Sequence, residues 1–83
     1  MSEQQVGTVS HYFTNAQVAA IELTGDLKLG DTVRIVGHTS DFTQQIDSMQ
    51  IEREDVEAAG SGDHIGIKVG SKARQNDKVF RVD

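Results

Sequence analysis

The chain has 83 residues, 36% of them hydrophobic, a formal net charge of −5 at pH 7, no cysteine and no proline. One small domain with a modest core fits that length, while disulfide staples, a cysteine-based zinc site and tight non-specific nucleic-acid binding are excluded by the composition and charge. No apolar run approaches the ~18 residues of a membrane span, and Met1–Gln5 lacks the basic and apolar regions of a secretory leader. The expected organisation is a short flexible tail over 1–5 and a single domain over 6–83, in a cytoplasmic protein with no membrane partner.

In chain order, Gln5 to Phe13 reads as a first strand, with Val6, Val9 and Phe13 buried and Tyr12 at an edge. Thr14–Gln17 is a polar turn. Val18 to Leu23 is a second strand. Val18, Ala20, Ile21 and Leu23 cannot share one face, so a bulge or two-sided burial is expected. Leu27 and Leu29 fill a turn region, and Thr32 to Gly37 forms a third strand before the polar loop Gly37–Asp41. Phe42 to Ile51 is long enough for a fourth strand. Phe42 and Ile46 fit one face and Met49 and Ile51 the other, which a bulge near Asp47–Ser48 would reconcile. Ile51 to Ala59 reads as extended, with one helical turn as the alternative, because Ile51 and Val56 make a poor helical stripe. Gly60–Asp63 is a clear turn, His64 to Val69 a strand, Gly70 to Asn76 a loop, and Lys78 to Val82 the last strand.

The stretch Gly25–Ile35 contains a turn-into-strand phrase that recurs. Gly30-Asp31 leads into Thr32–Ile35, Gly62-Asp63 into His64–Val69, and Asn76-Asp77 into Lys78–Val82. Glycine reaches positive φ without a Cβ clash, asparagine is the next most tolerant residue there, and aspartate caps nearby backbone N–H groups. The unequal spacing argues against a solenoid repeat. Short strands separated by turn signals, with no helix-period segment, predict an all-β fold: a small closed or half-closed antiparallel β-barrel of about six or seven strands.

Chemistry-bearing patterns are sparse. His11, His38 and His64 lie on three elements without ligand spacing, so no metal site is expected. His38-Thr39-Ser40-Asp41 holds triad residue types, but four consecutive loop residues do not converge as a triad needs, and a capped turn accounts for them. No phosphate-cradling loop of the GxxxxGK[ST] kind is present, so no nucleotide and no cofactor is expected. His11 and Tyr12 could form a stacking platform for bases, set against ordinary packing, with Phe13 and Phe80 assigned to the core. Charge is uneven, at −8 over residues 1–63 and +3 over 64–83. Lys68, Lys72, Arg74, Lys78 and Arg81 are therefore the candidate RNA-contact residues. A solvated surface is the competing account of the same residues.

The ordered set Val6-Gly7-Thr8-Val9, Gly25-x-Leu27-x-x-Gly30-Asp31-x-Val33-x-Ile35, Ile46–Gln50, Ala59-x-x-Gly62-Asp63-x-Ile65-Gly66-Ile67 and Asn76-Asp77-x-Val79-Phe80 resembles the barrel that follows the G domain in elongation factor Tu. It is similar also to short stand-alone elongation factor-like proteins and to the C-terminal barrel of collagenase-like peptidases. The resemblance covers Val6 to Val82. It implies a non-enzymatic translation-factor-like binding module that contacts tRNA or ribosomal RNA weakly through the C-terminal basic residues. In elongation factor Tu the loop matching Val69–Arg74 meets the acceptor end of aminoacyl-tRNA; here Gly70 stands where a large basic residue is looked for. The alternative implied by the same resemblance is a protein-docking module that completes a larger GTPase-like or peptidase-like enzyme in trans.

Overall fold

A computed structural model describes residues 3–38 and 40–82 of the chain; Thr39, within the loop read above as a capped turn, lies outside them. Ten strands follow one another: β1 Glu3–Phe13, β2 Val18–Leu23, β3 Leu27–Lys28, β4 Thr32–Val36, β5 Asp41–Gln45, β6 Met49–Ile51, β7 Glu54–Asp55, β8 Ala58–Ala59, β9 His64–Lys68 and β10 Lys78–Val82. Among the described residues there is no helix. Eight strands form one antiparallel sheet in the order β5-β4-β10-β1-β2-β9-β6-β7, and β3 pairs with β8 in a second. The all-β antiparallel expectation holds. The small closed or half-closed barrel of six or seven strands is corrected: the strands number eight in one sheet and two in another, and among the described residues no backbone ladder joins β5 at one edge to β7 at the other to close a barrel.

The extra strands have local causes. Ile46 and Met49 are both buried, three residues apart. An unbroken strand would send positions i and i+3 to opposite faces. The chain therefore leaves the ladder over residues 46–48, and one expected strand becomes β5 and β6. The stretch read as extended with a helical alternative is extended: Ile51 pairs with Glu54 across a two-residue turn at Glu52 and Arg53. Both turn residues have positive φ, 51° and 68°, the requirement of a tight hairpin whose twist matches its strands.

The longest strand, β1, serves two partners and breaks register against each. The shift against β10 lies between Gln5 and Gly7, and the shift against β2 between Val9 and His11. The first puts Val6 and Gly7 both inside. The second reverses the alternation, so Tyr12 packs on the core and Phe13 faces out at 50% exposure. The expected burial of Phe13 is thereby corrected. Phe80 is likewise outside the core, half-buried on the face opposite Val79, and Leu29 is exposed while Leu27 is buried. In β2 the burial is two-sided without a bulge: Ala19, Ile21 and Leu23 are buried, and Val18 and Ala20 half-buried.

The three turn-into-strand phrases share one geometry. Asp31, Asp63 and Asp77 each donate a backbone N–H to the carbonyl three residues back, on Lys28, Gly60 and Arg74, at 3.0–3.1 Å. Each also accepts from the N–H of that same residue through its Oδ2, at 2.9–3.0 Å. Gly30, Gly62 and Asn76 precede them with φ of 89°, 92° and 75°. A positive φ at the third position is the mark of a type II turn. The core lies between the sheet's curled halves, where Val9, Ala19, Ile21, Val33, Ile35 and Val79 are fully buried.

Candidate functional site

Two open grooves lie at opposite ends of the sheet. The first, about 680 Å³, lies where the turns after β2 and before β9 meet. Leu27 and Lys28 of β3 and Ala58 and Ala59 of β8 line it, with Asp26, Asp31, Gly60 and Arg81 around them. Small side chains on β8 keep the groove open. Arg81 shares the inward parity of Val79 and reaches the end of the sheet. There its Nη1 donates to the Asp26 carbonyl at 2.9 Å and its Nη2 to Gln4 Oε1 at 3.3 Å. The charges here, two carboxylates and two cations, balance one another.

The second groove, about 530 Å³, opens between the ends of β5 and β9. Gln17, Gln44, Gln45, Asp47, Ser48, Lys68, Val69 and Gly70 line it. Gln44 shares its parity with the half-buried Phe42, so a polar amide stands where the inward row of β5 ends. That amide spans the gap in the sheet. Its Nε2 donates to the Lys68 carbonyl at 2.9 Å, and its Oε1 accepts from the Gly70 N–H at 2.9 Å. Sequence reasoning did not single out Gln44. The available signal was a polar residue at an inward position, but its partners are backbone groups 24 and 26 residues away, which no local pattern reveals.

Of the candidate RNA contacts, Lys68 lines the second groove and Arg81 the first. Lys68 and Lys78 are both exposed, on strands β9 and β10 that are separated in the sheet by β1 and β2, about 14 Å as measured along the sheet. Lys72 and Arg74 are exposed on the loop after β9, which is pinned to β1 by Asn76 N–H to Val9 O and Val9 N–H to Asp77 O, both 2.8 Å. Arg81 lies at the other groove, bonded to Asp26 and Gln4. The stacking pair is also divided. His11 meets the edge of Phe13 at 4.5 Å between ring centroids, while Tyr12 turns to the core.

The strongest surface electrostatics involve Arg34. It makes a bidentate contact with Asp41 at 2.9 Å and reaches Glu3 at 3.3 Å. The hydrogen bond from Arg34 holds the Asp41 carboxyl below its ordinary range, and the Asp41 contact in turn raises the guanidinium. Side chains exposed to this degree place the cluster at the surface, where such pairs contribute little to stability. Among the described residues no three His, Cys, Asp or Glu side chains converge as a metal site would require, and no helix is long and apolar enough to cross a membrane.

No protein-family model matches the chain. It is similar to an uncharacterized protease of Methanocaldococcus jannaschii, 39% identical over 77 residues that cover 92% of this chain and 19% of that protein. It is similar also to a collagenase of Porphyromonas gingivalis, 36% identical over 80 residues that cover 94% of this chain and 22% of that protein. The chain thus spans about a fifth of the length of these relatives. In fold it is similar to the C-terminal domain of a Geobacillus thermoleovorans protein assigned to the U32 peptidases, with a TM-score of 0.90 at 20% identity, over 96% of this chain and 93% of that one. These likenesses bear out the collagenase-like half of the resemblance. They overturn the reading of a translation-factor-like, RNA-binding module, because the relatives are peptidase chains.

Proposed function

We propose that the chain is a non-catalytic docking module that works with a collagenase-like peptidase catalytic unit. The observation that carries this reading is one of proportion. The sequence match runs over 92–94% of this chain but only 19–22% of its peptidase relatives, and the fold matches a C-terminal peptidase domain nearly end to end. The chemistry is consistent with that division of labour. Peptide hydrolysis needs an activated nucleophile or a metal-bound water together with an oriented base. The grooves here offer glutamines, small residues, one serine and a few charges, of which Asp31 and Arg81 are bonded to backbone groups. In this reading the module contributes surface and positioning, and the relatives' remaining chain contributes the reacting groups.

The test uses a U32-type peptidase chain from which the C-terminal domain has been removed. Sedimentation of that catalytic unit with this chain should give a stoichiometric complex. Adding this chain should raise hydrolysis of a collagen-derived peptide, whereas this chain alone should release no product. Absence of a complex, together with peptide hydrolysis by the isolated chain, would overturn the reading.

A further inference from the structure

The geometry points to the groove between β3 and β8 as the face on which this chain docks, and to an apolar side chain of the peptidase catalytic unit as its occupant. The inference rests on the docking reading above and adds which surface makes the contact. The place of attachment selects the groove. In the Geobacillus thermoleovorans protein the matching domain is the C-terminal one, and the match runs over 96% of this chain and 93% of that domain. The rest of that protein therefore enters the fold at the strand corresponding to β1. Here β1 begins at Glu3, which pairs with Val82, and Gln4 pairs with Arg81. Arg81 links that point to the first groove. Its guanidinium bonds both Gln4 Oε1 and the Asp26 carbonyl, and Asp26 and Arg81 line the groove. The second groove takes in Gln17, beyond the other end of β1. The 11 residues of β1 span roughly 30 Å at about 3.3 Å each, in a molecule 32 Å in its longest dimension. A unit attached ahead of β1 thus lies beside the first groove and almost a molecule's length from the second.

The chemistry of the groove selects the occupant. Its inner lining is small and apolar: Leu27 is buried, and Ala59 and Gly60 are half-buried. Its charged members stand further out, with Asp26 and Lys28 exposed and Asp31 and Arg81 half-buried. The two carboxylates and two cations leave no net charge to attract an ion of either sign. Asp31 already accepts from the Lys28 backbone N–H, and Arg81 already donates to Asp26 and Gln4. Among the described residues no buried side-chain polar atom lacks a partner, so no buried group waits there for a small charged ligand. An apolar lining inside a polar rim is instead the arrangement of a protein–protein interface. The open space of about 680 Å³ has room for the large apolar anchor that such interfaces seat in a pocket. Leu29, the residue after Lys28, is exposed and adds apolar surface at the same turn.

The experiment uses the complex described above, of this chain with a U32-type catalytic unit lacking its own C-terminal domain. Alanine methyls report the face without any substitution: Ala58 and Ala59 line the first groove, and the exposed Ala16 precedes Gln17 of the second. With the chain labelled at its alanine methyls, saturation transferred from the catalytic unit should reach Ala58 and Ala59 and leave Ala16 unaffected. In sedimentation, Ala58→Arg should weaken association by about tenfold or more, because a guanidinium then stands where the anchor seats. Ser48→Arg, in the second groove, should change it by less than about twofold. A complex whose saturation reaches Ala16 or spares Ala58 and Ala59, or one that tolerates Ala58→Arg, overturns this face and leaves the docking reading standing. No complex with the unmodified chain overturns the docking reading, and the face with it. Should Ala58→Arg not fold, the methyl comparison in the unmodified chain decides.

Discussion

Asn76 shows how one residue type meets a backbone demand. Its φ of 75° matches the 89° and 92° of Gly30 and Gly62 at the corresponding place in the other two turns. An L-residue with an ordinary Cβ pays roughly 1–2 kcal/mol there, and glycine pays nothing for the conformation. Asn76→Ala is therefore expected to lower unfolding stability by about 1 kcal/mol, and Asn76→Gly to change it by only a few tenths. Urea unfolding of the two variants separates them, and equal losses would mean that the asparagine side chain, not its φ, matters. Asp77, beside it, is buried with its carboxylate pressed against the Cα of Gly37, so that any Cβ at position 37 would overlap the Asp77 carboxylate. Asp41 presents a different case at the surface. With its folded pKa held below the ordinary 3.8 by the Arg34 hydrogen bond, the pair's contribution is present above that ordinary value. It is lost as the pH falls through the depressed one. Carbon-detected NMR titration should place the Asp41 midpoint below 3.8 in the intact chain and return it toward 3.8 in Arg34→Gln; no difference between the two would remove the assigned cause.

At the scale of the element, β1 decides which aromatic side chains are inside. Its register shift between Val9 and His11 inserts one residue against β2, and with a side-chain period of two, one extra residue sends everything beyond it to the opposite face. Tyr12 thereby packs on the core and Phe13 stands half-exposed against His11. Tyr12→Ala should cost about 2–3 kcal/mol through lost packing, whereas Phe13→Ala should stay within about 0.5 kcal/mol. Thermal unfolding reads the contrast directly, and the opposite ranking would place the bulge elsewhere. The hairpin of β6 and β7 is a second local device. Glu52 and Arg53 occupy left-handed positions that asparagine and glycine fill at lower cost, so a sequence reading tuned to Asn-Gly turns has no cue for a tight turn there.

The whole molecule is a curled eight-stranded sheet whose two edges do not pair along a ladder. Gln44 crosses the gap with a side chain instead. In the docking reading proposed above, the character of this surface governs how the complex responds to salt. Phosphate contacts lose affinity steeply as salt rises, while burial of apolar surface such as the exposed Leu29 is insensitive to screening. Association with the catalytic unit should consequently persist from low to high salt in sedimentation runs. A complex that dissolves on raising salt would assign the contact to surface charges and not to apolar burial.

Much of the fold was legible along the chain. The three Asp-terminated turns, the strands that follow them and the burial of Val6 and Val9 follow from residue type and period, because turn conformation and strand alternation are set by neighbours within a few positions; the last strand reads with Phe80 inside, where the fold buries Val79. The sequence alone also carried the likeness to collagenase-like peptidases through the order of those turns. Three features were decided only in three dimensions. The face of Phe13 depends on a bulge formed against β2, the placing of Lys68 and Arg81 at different grooves depends on how the strands are arranged, and the contacts of Gln44 depend on the meeting of β5 with β9. Each is a relation between segments distant in sequence, whose energy comes from partners that no local window contains.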